Sequence, residues 1–223
     1  MRLTPLGDQA VLAYLDDEPA AVRFAAAVRA ANPGWLYDVV PAYASVGVHF
    51  DAERITVADV SAWLAHLAVG ERAETVGNRW RIPVCYELGP DLCRVAELTR
   101  LPADEVIRLH SETEYAVYAV GFVPGFPYLG YLPAPLCGVG RLASPRLRVD
   151  PGSVGVTGRQ TAVYPLPRPG GWHLIGRTPL TLVDVADGFF PLRVGDRVRF
   201  ARIDAAEFRR AEGNRLDPVT SRV

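Results

Sequence analysis

Two stretches decide how this chain is read: Gly121–Leu132, GFVPGFPYLGYL, and Ser144–Gly176, SPRLRVDPGSVGVTGRQTAVYPLPRPGGWHLIG. Glycine and proline are concentrated here, yet Phe122, Phe126, Tyr128, Tyr131, Tyr164 and Trp172 stand among them. Glycine reaches backbone conformations closed to other residues, and proline fixes those beside it. A disordered linker is rich in both but poor in large rings. Rings set among specified turns describe the walls of a binding cleft. Around them the chain breaks into short runs: Tyr115–Val120, Ser153–Thr157, Gln160–Pro165, Trp172–Ile175, Leu180–Val185 and Arg197–Arg202. Turn chemistry separates the runs. Pro151-Gly152 has proline and glycine where a type II turn needs them. Pro169-Gly170-Gly171 and Gly195-Asp196 are further turns. Many short strands so punctuated predict a closed or folded-over β structure.

Upstream the pattern is longer-ranged. Ala10–Leu15 is an apolar run of strand length, and Asp17 is placed to cap the helix Glu18–Ala31, which stops at Asn32-Pro33-Gly34. Trp35–Ala42 and Ser45–Phe50 read as strands. Val57, Val60, Leu64 and Leu67 share one face of a helix over Val57–Ala68. Gly70–Asn78 is polar and loop-like, and Arg79–Tyr86 alternates as a strand. The order β-α-β-β-α-β is that of a ferredoxin-like domain, here residues 1–86. Residues 87–223 then form the β-rich domain. They open with a helix from Gly89-Pro90-Asp91 to about Thr99 and a second from Pro102 to about His110. The tail after Glu212 reads as polar and loose.

Composition bounds the function. The chain has 223 residues, 49% of them hydrophobic, enough to bury a real core. Net charge is −1 with no basic cluster, which argues against a nucleic-acid or anionic-membrane partner. Apolar stretches such as Val60–Val69 are too short to span a bilayer. No charged leader with an apolar core opens the sequence, which points to the cytoplasm. Cys85, Cys93 and Cys137 lack metal-ligand spacing and suit a reducing compartment, with no metal expected.

Each candidate for chemistry has a plain structural reading beside it. Gly152–Gly158, GSVGVTG, lacks the Lys-Ser/Thr of a phosphate loop and runs into a strand pattern, so no autonomous nucleotide site is expected. His110, at a helix C-terminus, suits a carboxylate partner or proton donor, but a capping histidine is the commoner case. His173 alternates with Trp172 and Leu174, so it faces the opposite way, toward a cleft on that reading. Arg146, Arg159 and Arg177 offer planar forks for a carboxylate or phosphate, although a lone arginine on a turn is usually only solvated. Ser153 has no GxSxG elbow, and its hydroxyl and the N–H groups around Gly152 read as hydrogen-bond donors.

These residues also carry a family resemblance. His110 with Tyr115, GFVPGFPYLGYL, Ser144-Pro145-Arg146, PGSVGV, GRQTAVYPLP and Pro169–Pro179 (PGGWHLIGRTP) together resemble the family of the bacterial 5-oxoprolinase B component, also called PxpB/KipI or allophanate hydrolase subunit 1. The resemblance implies an α+β protein with an N-terminal ferredoxin-like domain and a C-terminal cyclophilin-like β-barrel. It implies a protein that acts with two others: PxpC, which is KipA-like, and PxpA, which is LamB/YcsF-like. Together they open 5-oxo-L-proline to L-glutamate at the expense of ATP, which is bound in the assembly. One branch of the family inhibits a sensor histidine kinase, and another is tied to allophanate and urea metabolism. On family grounds the cleft falls on Tyr115, Phe126, Gly152, Ser153, Gln160, Tyr164 and Trp172. Arg146 and Arg177 are then anion holders, and His110 a proton donor or carboxylate partner. The chain departs from the family where Val149-Asp150-Pro151-Gly152-Ser153 replaces Val-Pro-Ala-Gly-Ser, placing an acid beside the expected anion site. Tyr86–Gly89 is also shortened.

Overall fold

A computed structural model describes residues 1–70 and 77–217. Most of the Gly70–Asn78 loop and the last residues of the tail, 218–223, lie outside the described residues. The chain divides into two compact units, Met1–Val76 and Gly77–Val223.

The first unit holds strands β1 (Arg2–Pro5) and β2 (Ala10–Tyr14), helix α1 (Glu18–Ala31), strands β3 (Leu36–Ala42) and β4 (Ser45–Phe50), and helix α2 (Val57–His66). Helix α1 starts where its cap was expected, with the Asp17 side chain accepting from the Ala20 N–H at 2.7 Å. It ends at Asn32, whose left-handed conformation (φ 39°) sends its N–H back to the Val28 carbonyl. Thr56 caps α2 through the Asp59 N–H. Val46, Val48 and Phe50 of β4 pack with Phe24 and Val28 of α1 and Leu64 of α2 to form the core. The sheet order is β1-β2-β4-β3, antiparallel throughout. This corrects the βαββαβ order expected for residues 1–86. The place beside β2 that such an order gives to its last strand is taken by β1, a strand of only four residues.

The strand expected to close that domain, now β5 (Arg79–Val84), belongs to the second unit. The unit continues with helices α3 (Leu92–Thr99) and α4 (Ala103–Glu112) and strands β6 (Glu114–Val120), β7 (Pro127–Gly130), β8 (Arg146–Val149), β9 (Ser153–Thr157) and β10 (Gln160–Val163). It ends with β11 (Arg168–Gly170), β12 (His173–Arg177), β13 (Arg197–Arg202) and helix α5 (Ala205–Ala211). Strand β5 lies parallel to β13 from Arg79↔Arg197 to Val84↔Arg202. The buried Asp196 carboxylate holds it there, accepting from the Asn78 N–H (2.8 Å), the Trp80 indole N–H (2.8 Å) and the Arg193 N–H (2.9 Å). Parallel pairing with a strand so distant in sequence leaves no local signal, so the alternation of β5 gives a strand without naming its sheet.

The main sheet runs β12-β9-β10-β7-β6-β13-β5. Its outer strands meet: Cys85, just after β5, and Arg177 of β12 exchange backbone hydrogen bonds of 2.9 and 3.0 Å. The sheet is thus a nearly closed barrel, which removes the exposed edges that invite aggregation. Its interior is filled by Ile82, Val84, Val117, Leu129, Val154, Val156, Ile175 and Val198. The chain beside the seam passes so close that a Cβ on Gly89 would lie 2.1 Å from the Ile175 carbonyl carbon. Strands β8 and β11 form a separate antiparallel pair. The run Leu180–Val185, expected as a strand, forms only isolated bridges, Thr181↔Arg215 and Asp184↔Phe189. Helix α5 lies beyond the strands read from the sequence, and its capping box, Asp204 with Glu207, is the local signal for it.

Candidate functional site

The predicted type II turn forms. Ser153 N–H donates to the Asp150 carbonyl across it, and Gly152 sits at φ +82°. Only glycine fits there, because a Cβ would lie 2.3 Å from the Thr178 carbonyl oxygen. The turn's donors are nevertheless taken: the Gly152 N–H bonds the Tyr164 carbonyl at 2.7 Å. Gly152 and Ser153 therefore brace β9 against β10 and β12, and their N–H groups are not open to a ligand. Strand β9 is flanked on both sides by pairing partners, so Gly152–Gly158 presents no row of free amides to a phosphate. The residues present do not fit ATP at this segment. Asp150 stays on the exposed rim, paired with Arg148 at 3.0 Å.

Pleating sends alternate residues of β9, β10 and β12 to opposite faces, and the two faces differ in kind. On the inner face His110 is wholly buried and stacked on Phe200, with ring centroids 4.5 Å apart. Tyr86 O–H contacts its Nδ1 at 2.7 Å, its Nε2 contacts Thr161 Oγ1 at 2.9 Å, and Thr161 O–H donates to the Gly155 carbonyl at 3.0 Å. With the Thr161 proton directed at Gly155, Nε2–H is the donor to Thr161, and Nδ1 accepts from Tyr86. Tyr115 O–H donates to the His110 carbonyl at 3.1 Å. Burial holds the imidazole neutral, pushing its pKa down to about 3. Burial also pushes the Tyr86 and Tyr115 hydroxyls upward. His110 and Tyr115 are thus interior residues with every polar atom engaged. The expected proton-donor or carboxylate-partner role for His110 does not fit, because a neutral ring sealed by Tyr86 and Thr161 meets no substrate. His173 does face opposite to Trp172, but that face is the barrel side it shares with Val156, its partner across the β12–β9 register. It is buried, and its Nδ1 has no hydrogen-bond partner among the described residues.

On the outer face the rings converge. Phe126 touches Phe122, Tyr128, Tyr164 and Trp172 edge-on, with centroids 5.4, 5.0, 5.2 and 5.7 Å away. Edge-to-face contacts of this kind stabilise and orient the rings. They line a pocket of about 240 Å³ that also takes in Arg141 and the bare backbone of Gly170 and Gly171. Gly170 has to be glycine, since a Cβ there would lie 2.5 Å from the Tyr164 hydroxyl. Phe122 holds φ +68° within a tight turn closed by Val123 N–H to the Gly121 carbonyl, and it is 61% exposed at the rim. Phe126, Tyr164 and Trp172, all expected in the cleft, are brought together here. The sequence gives Arg141 no signal beyond that of a cation a few residues ahead of Ser144-Pro145-Arg146.

The remaining expected residues separate. Arg146 grips Asp91 with one terminal nitrogen, 2.6 and 2.8 Å from the two carboxylate oxygens, while Asp91 also accepts the Leu174 N–H at 2.7 Å. That contact ties β8 to the turn before α3 and to β12, so the guanidinium expected to hold an anion already holds one of the protein's own. Arg177 lines a second pocket of about 340 Å³ with Pro151, Thr178, Phe208 and Glu212. Its Nε–H donates to the Pro151 carbonyl at 3.1 Å. Arg159 lies 4.1 Å over the Tyr131 ring, and Gln160, half-buried at the start of β10, lines neither of these pockets. Neither of these two pockets brings His110 or Arg146 together with Arg177. Cys85 is buried and Cys93 exposed, all three thiols being free. Among the described residues no helix is long and apolar enough to cross a membrane.

A nearly closed barrel with an aromatic pocket on its outer face, in a chain whose first unit is an antiparallel α+β fold, has a matching family. Residues 1–188 match the carboxyltransferase domain, subdomain C and D, and the chain belongs to that family. A Bacillus subtilis protein named as the B component of 5-oxoprolinase is 37% identical, the match covering 89% of this chain and 83% of that protein. An Escherichia coli O157:H7 protein of the same name is 55% identical over 53% of this chain and 56% of its own length. Among solved structures, the crystal structure of TTHA0988 superposes with a TM-score of 0.78 at 35% identity, covering 89% of this chain and 41% of that one. The chain thus spans a little over half of the Escherichia coli relative and less than half of TTHA0988.

Proposed function

We propose that this chain is one component of a multi-protein 5-oxoprolinase and that its aromatic pocket receives the lactam. The relatives named as the B component of 5-oxoprolinase support the first part. The observation that carries the second is the convergence of Phe126, Tyr164 and Trp172, from three separate segments, on one pocket of about 240 Å³. That space suits a single five-membered ring. Aromatic faces and edges contact its C–H groups, and walls that exclude water strengthen any charge interaction at the rim.

On this reading the barrel is cyclophilin-like, the chain acts with PxpA-like and PxpC-like partners, and it contributes substrate binding rather than a nucleophile. A lactam is a poor electrophile, and ATP-dependent phosphorylation of its oxygen supplies the leaving group. The nucleotide is assigned to another part of the assembly, since no phosphate cradle forms at Gly152–Gly158. Arg177, in its separate pocket, is kept as an anion-contacting residue facing a partner's ligand or side chain.

The test is reconstitution. The chain is purified with its PxpA-like and PxpC-like partners and assayed for ATP-dependent glutamate release from 5-oxo-L-proline. Trp172→Leu is expected to raise KM about ten-fold while the complex still assembles, given that a buried aromatic contact is worth roughly 1 kcal/mol or more. Absence of glutamate from a fully assembled wild-type set would sink the reading.

A further inference from the structure

From the geometry of the aromatic pocket we infer that Arg141 is its carboxylate-binding and specificity-determining residue, the place left vacant by Arg146. The inference rests on the pocket being a ligand site, and it fixes which ligands that site accepts: small cyclic carboxylates in preference to neutral rings.

Three observations carry it. Arg141 lines the same pocket as Phe122, Phe126, Tyr128, Tyr164 and Trp172. Its place at the rim is fixed by backbone, because the adjacent Leu142 N–H donates to the Gly171 carbonyl at 2.7 Å. Its side chain is exposed and forms no hydrogen bond or ion pair with any described residue. The contrast with Arg146 is direct: Arg146 is neutralised by Asp91, whereas Arg141 keeps its full fork available beside an apolar wall. Its positive charge also reaches the Tyr128 and Tyr164 hydroxyls, opposing the upward push that burial gives them.

The chemistry follows from that placement. A guanidinium offers two parallel N–H donors, matched to a carboxylate, and the rings of the pocket wall cover one side of the pair. A neutral ring gains only the aromatic contact. A cyclic carboxylate gains both, and the two anchors fix its orientation, leaving the ring face opposite the carboxylate toward the open side of the pocket. The acid nearest in sequence, Asp150, does not compete for Arg141, since it is paired with Arg148.

The experiment measures equilibrium binding by calorimetry on the full chain, both by itself and with its partner proteins. The ligands are 5-oxo-L-proline against 2-pyrrolidinone, and cyclopentanecarboxylate against cyclopentanone. Wild type is expected to favour each acid over its neutral counterpart by about ten-fold or more, the usual worth of a charge-assisted hydrogen bond. Arg141→Gln should remove that preference while leaving the affinity for the neutral rings within roughly two-fold, and Arg141→Lys should restore part of it. A preference that survives in R141Q overturns the inference, as does a wild type that never favours the acid. If the R141Q complex releases glutamate with unchanged KM, Arg141 is not the carboxylate holder while the 5-oxoprolinase reading stands. If wild type shows the Arg141-dependent preference but the complex releases no glutamate, the inference stands and that reading falls.

Discussion

The two faces of one part of the main sheet, β12-β9-β10, carry similar residue types to opposite ends. Against the inner face, Tyr86, the His110 ring and Thr161 form a hydrogen-bonded chain ending on the Gly155 carbonyl, and Tyr115 bonds the His110 carbonyl beside it. The outer face holds Phe126, Tyr164 and Trp172 with Arg141 at the rim, and there a charged group has no partner among the described residues. Chemistry-bearing side chains are therefore sorted by what their polar atoms already touch. A buried group with every atom engaged fixes the fold, because leaving any atom unpaired costs more than the bond itself contributes. A group left open beside a shaped apolar wall is available to a ligand.

Substitutions sharpen that contrast, and their expected effects on stability fall in a definite order. The largest belongs to the turn that bears both faces. Gly152→Ala adds a Cβ at φ +82° against the Thr178 carbonyl and should cost about 4 kcal/mol, read by urea unfolding. On the inner face, His110→Leu leaves the Tyr86 and Thr161 hydroxyls short of a partner and should cost about 3 kcal/mol near neutral pH.

The same histidine has a pH signature. Its folded-state pKa lies near 3, below the ordinary value of 6.5, so the native state binds fewer protons than the unfolded chain between those values. Its contribution to stability is complete above pH 6.5 and declines as pH falls toward 3, by up to about 1.4 kcal/mol per pH unit. His110→Leu should flatten that part of a stability-versus-pH curve. An unchanged curve would mean that His110 is not sealed as described.

Arg146→Met strands the Asp91 carboxylate, which retains the Leu174 N–H. A loss of about 2 kcal/mol is expected, below the full value for a buried pair because the guanidinium is partly exposed. The smallest effect falls on the outer face: Arg141→Gln should move stability by less than about 0.5 kcal/mol. A thermal melt showing Arg141→Gln as damaging as Arg146→Met would erase the distinction between the two arginines.

Much of the architecture was legible in local chemistry. The Asp17 cap and the Asn32-Pro33-Gly34 stop bound α1 as observed, and Pro151-Gly152 makes its turn. The strand runs at Tyr115–Val120, Ser153–Thr157 and Arg197–Arg202 were readable from alternation and punctuation. Of the candidate site, the convergence of the aromatic wall was legible because its rings sit in the turn-rich stretch. The sorting of His110, Arg146 and Arg141 was not. Each arginine in that stretch looks alike until its neighbours in space are known, and the Asp91 that claims Arg146 lies 55 residues away.

By itself, the sequence determined the local conformations: caps, turns and the period of each strand. Those depend on dihedral preferences and on residues within a few positions of one another. Only the tertiary structure decided that β5 joins the barrel through Asp196, 116 residues from Trp80, and that β1 takes the edge beside β2. It also decided that one arginine is bound internally while another faces the pocket. Pairing across such separations is fixed by which surfaces bury together, and that is a property of the whole packed chain.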